Sequence, residues 1–308
     1  MTLTELRYIV AVAEKRHFGR AAQACFVSQP TLSVAVKRLE EELGVTLFER
    51  SRAEIALTPA GERVVQQARR ALAEAGAVRE VAMASKDELA GPLRLGAIYT
   101  IAPYLLPDLI PAINEQAPRM PLLVEENYTA VLSEKLKRGD LDVIIIALPF
   151  DEPGVVTLAL YDEPFVMLLP ASHPLSLKPA IAISDLDDET VMLLGEGHCF
   201  RDQVLEFCPN CAAKPRQQSS LQQTLEGASL ETIRMMVTSG VGLTVLPCTA
   251  AAADLYSGRL LAIRRFSNIE PGRTVALAWR KSFPRPKVIE VLRRAVAESA
   301  LSCIEKRV

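Results

Sequence analysis

Hydrophobic residues recur at helical spacing in three segments near the start of the chain. The first follows a capping-box sequence at residues 2–5, and the second is the short, alanine-rich run 19–25. Ser28 caps the third, which has Pro30 in its first turn, where a missing N–H is tolerated. Its apolar stripe consists of Leu32, Val36, Leu39 and Leu43. Two short apolar runs within residues 45–57 then flank a turn. The pattern predicts a three-helix domain followed by a β-hairpin wing.

The third predicted helix has a polar face that suits DNA. Short amide and hydroxyl groups at its start can touch base edges in the major groove, while cations further along reach phosphates. The candidate DNA-contacting residues are Gln29, Pro30, Thr31, Ser33, Lys37 and Arg38 on this helix, and Arg50 and Arg52 at the wing. Because the whole chain has a net charge of −2, binding depends on where these residues point. A plain three-helix bundle with a polar surface is the alternative.

The order of residues in this segment is more specific than its pattern. Residues 17–22 read His-Phe-Gly-Arg-Ala-Ala, 27–33 read Val-Ser-Gln-Pro-Thr-Leu-Ser, and 43–50 read Leu-Gly-Val-Thr-Leu-Phe-Glu-Arg. Together they resemble the winged helix-turn-helix of LysR-type transcriptional regulators over about residues 1–60. The resemblance implies a DNA-binding regulator whose partner is double-stranded promoter DNA, with RNA polymerase as a further candidate partner.

A long helix is predicted to follow the wing. Thr58 is a cap, Pro59 occupies the first helical position, and the sequence 86–92 closes the helix. Residues on one face recur at alternating spacings of four and three: Val64, Ala68, Ala71, Ala75, Val78 and Ala82. An ordinary packed helix has the same pattern. In LysR-type proteins the corresponding helix pairs two subunits, so the resemblance implies a homo-oligomer, with a dimer of dimers as the expected form.

Short apolar strands and helices alternate through the rest of the chain. The predicted strands are 93–98, 122–126, 143–148, 165–169, 191–194, 243–246 and 274–279, and the helices between them include 129–138 and 230–239. The alternation predicts an α/β fold with mostly parallel sheets. Residues 162–164 and 264–269 are interpreted as crossings between two subdomains. The arrangement resembles the periplasmic-binding-protein-like effector domain of LysR regulators.

The predicted architecture is therefore α/β, with a winged helix-turn-helix, a linker helix and a regulatory domain of two α/β subdomains. The predicted boundaries are 1–58 for the DNA-binding domain, 59–90 for the linker helix, and 91–308 for the regulatory domain, with subdomain I at 91–162 and 268–308 and subdomain II at 163–267.

Composition narrows the class of protein. Hydrophobic residues make up 49% of the 308-residue chain, which permits a sizeable core. No apolar run approaches the roughly 18 residues of a membrane helix, and residues 1–5 do not resemble a secretory signal. We therefore expect a cytoplasmic protein without a membrane partner. In a reducing compartment its six cysteines should rest as thiols, so a disulfide there is a signal rather than a structural support.

The segment 195–208 carries the most informative chemistry. Gly195 and Gly197 permit a tight turn, and a helix predicted at 200–207 places Cys199 at its N-terminus. The helix dipole and the nearby His198 and Arg201 would favour a thiolate, which can attack a peroxide O–O bond. The departing oxygen needs hydrogen-bond donors, for which the candidates are Thr100, Thr129, His198 and a convergent arginine. Simple helix capping is the alternative role of the two threonines.

A second thiol can convert the resulting sulfenic acid to a disulfide, and Cys208 is the candidate. If residues 199 to 208 are helical, their Cα atoms lie about 13 Å apart. A disulfide tolerates no more than about 7 Å. Closing this bond therefore requires the helix to unwind, which would turn sulfur chemistry into a conformational change.

Residues 197–203, 207–208 and 229–232 resemble the peroxide-sensing members of the LysR family. This resemblance implies hydrogen peroxide as the effector, Cys199 as the peroxidatic cysteine and Cys208 as the resolving cysteine. It places four residues around the peroxide, Thr100, Thr129, His198 and Arg273, and three behind them, Arg201, Asp202 and Glu231. It implies a regulator rather than an enzyme, with no cofactor.

Cys211 departs from that pattern. It could compete as the resolving thiol or reshuffle the disulfide, or it could join His198, Cys199 and Cys208 as a zinc ligand. We interpret Cys25, Cys248 and Cys303 as inert residues in apolar helices. Two other functions stay open: a LysR-type regulator that answers a small organic effector, and a thiol enzyme or zinc protein with a DNA-binding head.

Overall fold

A computed structural model describes residues 1–50, 55–84, 87–187, 189–212, 229–252 and 260–307. The chain divides into two compact units. One comprises residues 1–86 with 137–140, and the other comprises residues 87–136 with 141–308.

The first unit is a winged helix-turn-helix, as predicted. Its elements are α1 (Leu3–Lys15), α2 (Phe18–Ala24), α3 (Gln29–Leu43), β1 (Phe48–Arg50), β2 (Ile55–Leu57) and α4 (Pro59–Ala84). Ser28 accepts a hydrogen bond from the Thr31 N–H at 3.3 Å and so caps α3. Leu32, Val36 and Leu39 are buried in the core of this unit, whereas Leu43 is exposed, because α3 ends there at a left-handed Gly44.

The second unit alternates strands and helices. Its strands are β3 (Leu93–Ile98), β4 (Leu122–Asn127), β5 (Val143–Ala147), β6 (Val155–Pro170), β7 (Ala180–Ile181), β8 (Val191–Met192), β9 (Leu243–Pro247), β10 (Leu261–Phe266), β11 (Gly272–Arg280) and β12 (Glu305–Lys306). Its α-helices are α5 (Ala102–Gln116), α6 (Thr129–Arg138), α7 (Cys199–Phe207), α8 (Leu230–Thr238), α9 (Cys248–Ala252) and α10 (Pro286–Ala297). Short 3₁₀ helices occur at Pro174–Leu177, Ile183–Leu186 and Pro209–Ala212.

Strand β6 connects two sheets. Its first part pairs with β11 in the order β4-β3-β5-β11-β6, and its last residues pair with β9 and β10. The chain returns from β10 to β11 through residues 267–271. Each sheet has its own hydrophobic core, and these two cores define the two α/β subdomains.

The prediction of mostly parallel sheets is wrong for the described strands. Parallel pairs are β3 with β4 and β5, β8 with β9, and β7 with β10. Strand β6 runs antiparallel to β9, β10, β11 and β12. The reason is that β6 passes from one sheet to the other as an extended strand and enters each without a helical crossover. Among the described residues, no helix is both long and apolar enough to span a membrane.

Candidate functional site

The N-terminus of α7 is held at the end of a tight loop that follows β8. Gly197 has a φ of +91°, a backbone conformation that L side chains rarely adopt, and a Cβ added there would contact the Tyr128 ring at 3.5 Å. Cys199 is the first residue of α7 and is half-buried, so its sulfur lies at the positive end of the helix. Arg201 donates a hydrogen bond at 2.9 Å to the Leu194 carbonyl, which fastens the loop. Arg201 therefore positions the helix start.

A small cavity lies beside Cys199, at the carboxyl ends of β3 and β4. It is lined by Ile98, Tyr99, Thr100, Asn127, Tyr128, Thr129, Gly197, His198 and Cys199. Its volume is about 10 Å³. A cavity needs about 10–15 Å³ to hold one water molecule. The Thr129 hydroxyl lies 3.5 Å from the Cys199 sulfur. The cavity therefore suits a molecule close to water in size, with the Cys199 sulfur and the Thr129 hydroxyl both in its wall.

Thr100 is held by a buried arginine rather than used as a helix cap. Arg273 donates to the Thr100 hydroxyl at 2.7 Å and to the Thr100 carbonyl at 2.8 Å, while Ile101 is the residue that caps α5. The guanidinium group lies 5.7 Å from the centroid of the Phe200 ring on α7. Arg273 thus connects strand β11 to the cavity wall and to the helix that begins with Cys199.

Glu163 on β6 balances the charge of Arg273, and sequence reasoning missed it. Its carboxylate accepts a hydrogen bond from Arg273 Nε at 2.7 Å, and both side chains have no exposed surface. The same carboxylate accepts hydrogen bonds from the N–H and hydroxyl of Thr249 on α9. The network joins residues 86 and 110 positions apart, so no local pattern could reveal it.

His198 does not contribute a charge at neutral pH. It is almost fully buried, and its ring packs edge-to-face on Tyr128 with the centroids 4.7 Å apart. Burial lowers the pKa of His198 from its ordinary value of 6.5. The expectation that His198 charge favours the Cys199 thiolate is therefore not supported, although the neutral ring can still donate a hydrogen bond.

The buried imidazole predicts a specific pH dependence of stability. The unfolded chain binds a proton at His198 near pH 6.5, whereas the folded chain binds it only at lower pH, so stability is lost as pH falls below 6.5. We expect His198→Gln to reduce this loss, by less than about 1.4 kcal/mol per pH unit. Urea unfolding at pH 7.5 and 5.5 measures it. His173→Gln is the control, because His173 lies beside Glu189 outside the cavity. Equal pH slopes for wild type and His198→Gln would contradict the prediction.

The three residues predicted behind the cavity occupy different positions. Glu231 accepts a hydrogen bond from the Tyr104 hydroxyl at 2.8 Å, which links α8 of one subdomain to α5 of the other. Burial raises the pKa of Tyr104, and the bond to Glu231 raises it further. Arg201 bonds to the Leu194 carbonyl, and Asp202 lies exposed in the first turn of α7.

Four cysteines are bonded in pairs, where the sequence predicted thiols, and Cys303 lies outside a helix. Cys208, the cap of α7, is bonded to Cys211, with Cα atoms 5.4 Å apart. Cys248 is bonded to Cys303, with Cα atoms 6.1 Å apart. Cys303 lies in the C-terminal extension and not in a helix, so interpreting this pair as two inert helical thiols is wrong. Cys25 and Cys199 are free thiols, and burial raises the pKa of Cys25.

The bond between Cys208 and Cys211 occupies two of the four side chains of the zinc alternative. Among the described residues, no group of three or more His, Cys, Asp or Glu side chains is placed to hold a metal ion.

The predicted DNA-contacting residues of α3 lie on its outer face. Gln29, Pro30, Thr31, Lys37 and Arg38 are exposed, while Ser33 is half-buried. The Thr31 hydroxyl lies 2.7 Å from that of Ser28 and so takes part in the helix cap. Arg50 ends β1, and Arg52 lies outside the described residues.

Phe26, in the turn before α3, is a further candidate for DNA contact that sequence reasoning missed. It is 96% exposed and has a φ of 57° in the turn between α2 and α3. The sequence did not single out Phe26, because it lies between two helices and so belongs to no periodic pattern.

Residues 3–62 match the family of bacterial regulatory helix-turn-helix proteins of the lysR type, and residues 86–301 match the LysR substrate binding domain. The chain therefore belongs to the LysR family of regulators.

Individual relatives narrow the class. The chain is 42% identical to a probable hydrogen peroxide-inducible genes activator of Streptomyces viridosporus, covering 97% of this chain and 94% of the relative. It is 36% identical to the DNA-binding transcriptional dual regulator OxyR of Escherichia coli K12, covering 96% and 95%. A solved full-length OxyR variant from Pseudomonas aeruginosa is 52% identical, with a TM-score of 0.78 and coverage of 100% and 98%. Within the LysR family, the chain belongs to the OxyR-type hydrogen peroxide-inducible genes activators.

Proposed function

We propose that the protein is a DNA-binding transcriptional regulator that senses hydrogen peroxide by oxidation of Cys199 and disulfide formation with Cys208. The observation that carries the proposal is the water-sized cavity beside the Cys199 sulfur, with the Thr129 hydroxyl hydrogen-bonded to that sulfur at 3.5 Å. A peroxide-bound mutant of the OxyR from Corynebacterium glutamicum is 34% identical to this chain, with a TM-score of 0.62 and coverage of 96% and 93%.

The chemistry follows from the groups around the sulfur. The Cys199 thiolate attacks one oxygen of hydrogen peroxide, the O–O bond breaks, and the other oxygen leaves as hydroxide, which takes up a proton. Thr129 and the Arg273-held Thr100 are hydroxyl groups at the cavity wall that can hydrogen-bond to the two oxygens. The product is a Cys199 sulfenic acid, which the Cys208 thiol converts to a disulfide with release of water.

Disulfide formation then changes the fold. Cys199 and Cys208 stand at opposite ends of α7, about 13 Å apart at the helical rise, and the bond permits about 7 Å. Unwinding α7 pulls Phe200 and Val204 out of their core and removes Phe200 from Arg273. The cavity chemistry is thereby coupled to the packing of the regulatory domain, to its packing in the homo-oligomer, and to promoter contacts.

A small organic effector is the competing function for a LysR-type regulator. The cavity beside Cys199 has no room for one, and on its far side Glu163, Arg273 and Thr249 hydrogen-bond to one another or to the cavity wall. The observed geometry therefore favours peroxide.

The proposed partners are promoter DNA and further copies of the chain, as a dimer of dimers. Helix α4 supports the pairing of subunits only through the second half of the predicted seam. Ala68 of that seam packs into the core of its own unit, with Val64 and Ala71 against it, whereas Val78 is 68% exposed. RNA polymerase is proposed as the partner in transcription, in the cytoplasm. The protein reacts once per reduction cycle and needs no cofactor, so it acts as a sensor and not as an enzyme.

The test is oxidation of the reduced full-length protein with one equivalent of hydrogen peroxide, quenched at early times for disulfide mapping by peptide mass spectrometry. We expect a Cys199–Cys208 bond and a changed footprint on operator DNA that the protein itself selects in vitro. Cys199→Ser should keep the footprint of the reduced protein before and after peroxide. If Cys199 stays a thiol at every time point from the earliest quench onward, the proposal is wrong and an organic effector becomes the better candidate.

A further inference from the structure

The two ends of α7 carry cysteines in different states. Cys208 caps the C-terminal end and is bonded to Cys211, which lies in the short 3₁₀ helix Pro209–Ala212. Cys199 at the other end is a free thiol, and α7 is intact between them. Cys208 and Cys211 are both buried in the core beneath the second sheet. The folded chain therefore accommodates an oxidised Cys208–Cys211 pair and a reduced Cys199 at the same time.

The fold with an intact α7 cannot accommodate a Cys199–Cys208 bond. This bond requires α7 to unwind and exposes Phe200 and Val204, which are 2% and 0% exposed in the intact helix. Burial of one such side chain shifts an equilibrium by about tenfold or more. A disulfide that lets α7 refold is favoured over one that keeps it unwound.

We propose that Cys211 ends the peroxide signal by thiol–disulfide exchange, an inference that rests on the proposed function. Once the Cys199–Cys208 bond has formed, Cys211 is only three positions from Cys208 along the chain, so its sulfur stays within reach of the bond. The Cys211 thiol loses its proton, its sulfur attacks the Cys208 sulfur, and the Cys199 sulfur leaves as a thiolate that takes up a proton.

The exchange consumes no further oxidant. Hydrogen peroxide accepts two electrons and becomes two water molecules, and the Cys208–Cys211 disulfide retains the oxidation. Cys199 returns to the thiol state at the start of a refolded α7. The chain is then oxidised but has the fold of the reduced sensor, and Cys208 is withheld from a second cycle until the new disulfide is reduced.

The test is a time course of disulfide mapping after one equivalent of hydrogen peroxide, on reduced full-length wild type and Cys211→Ser. In the wild type we expect the Cys199–Cys208 peptide to appear and then fall about tenfold or more as the Cys208–Cys211 peptide and free Cys199 rise. In Cys211→Ser we expect the Cys199–Cys208 peptide to persist, with α7 open to limited proteolysis. Cys211→Ala is the second variant, because position 211 is buried and serine could disturb the core.

Other outcomes overturn the exchange in identifiable ways. A Cys199–Cys208 bond that persists in the wild type as it does in Cys211→Ser refutes the exchange and leaves the proposed function intact. A Cys208–Cys211 bond that forms equally fast in Cys199→Ser shows direct oxidation of the pair and also refutes it. An unoxidised Cys199 in both Cys211 variants refutes the proposed function itself.

Discussion

Replacing Thr129 by valine is expected to slow the oxidation of Cys199 by hydrogen peroxide by about 100-fold. The Thr129 hydroxyl lies 3.5 Å from the reacting sulfur, at the wall of a cavity that holds about one small molecule. Removing one hydrogen-bond donor from a developing oxyanion typically costs about 10²–10³ in rate. Valine has nearly the shape of threonine, so the cavity keeps its size and only the hydroxyl is lost. The rate is measured by quenched-flow trapping of the remaining Cys199 thiol.

Two further variants separate chemistry from packing at this position. Thr129→Ser keeps the hydroxyl and should retain most of the wild-type rate. Thr232→Val removes a threonine hydroxyl at the start of α8, where it contacts only Ser229 among the hydrogen bonds described, and should leave the rate unchanged. A wild-type rate for Thr129→Val would show that the hydroxyl has no part in breaking the O–O bond.

The sequence predicted those parts of the site that depend on local pattern. The glycine turn and the helix predicted at 200–207 placed Cys199 at a helix N-terminus, and α7 begins at that residue. The apolar pattern likewise predicted the bounds of β3 and α6. Each of these features is decided within one or two turns of chain, which is the range over which propensity and periodicity act.

The missed features depend on contacts between distant residues. Glu163 lies 110 positions from Arg273 and 86 from Thr249, and nothing near Glu163 in the sequence marks it as buried. The interpretation of residues 162–164 as a crossing between subdomains left open how the chain makes it. Strand β6 runs through Pro164 without a break and leaves one sheet for the other at this point.

Cysteine pairing likewise depends on contacts that the local sequence does not determine. The two-residue spacing between Cys208 and Cys211 is visible in the sequence, but it is equally consistent with a metal site, a resolving thiol or a bonded pair. Only the fold distinguishes these, by burying both sulfurs together at the end of α7. Cys248 and Cys303 are 55 positions apart and have no local signal at all.

The second large effect is expected at the buried carboxylate of the Arg273 network. Glu163→Gln should lower the free energy of unfolding by about 3–5 kcal/mol, because it leaves the Arg273 guanidinium buried without a balancing charge. Both side chains have no exposed surface, so solvent cannot replace the lost partner. Urea unfolding of the full-length protein measures the loss, and Asp162→Asn is the matched control. Asp162 is the preceding residue of β6, and its ion pair with Arg307 is partly exposed. Asp162→Asn should therefore lower the free energy of unfolding by less than about 1 kcal/mol.

A double variant tests whether the destabilisation comes from the unbalanced charge. Glu163→Gln combined with Arg273→Met removes both charges, and buried pairs replaced by neutral side chains of similar size typically recover most of the stability. Peroxide reactivity should not recover with it, because Arg273 also donates to both oxygens of Thr100 at the cavity wall. Stability and reactivity therefore separate, because the double variant regains the fold but not the rate. Recovery of both would mean that Arg273 only balances the charge of Glu163 and does not position the peroxide cavity.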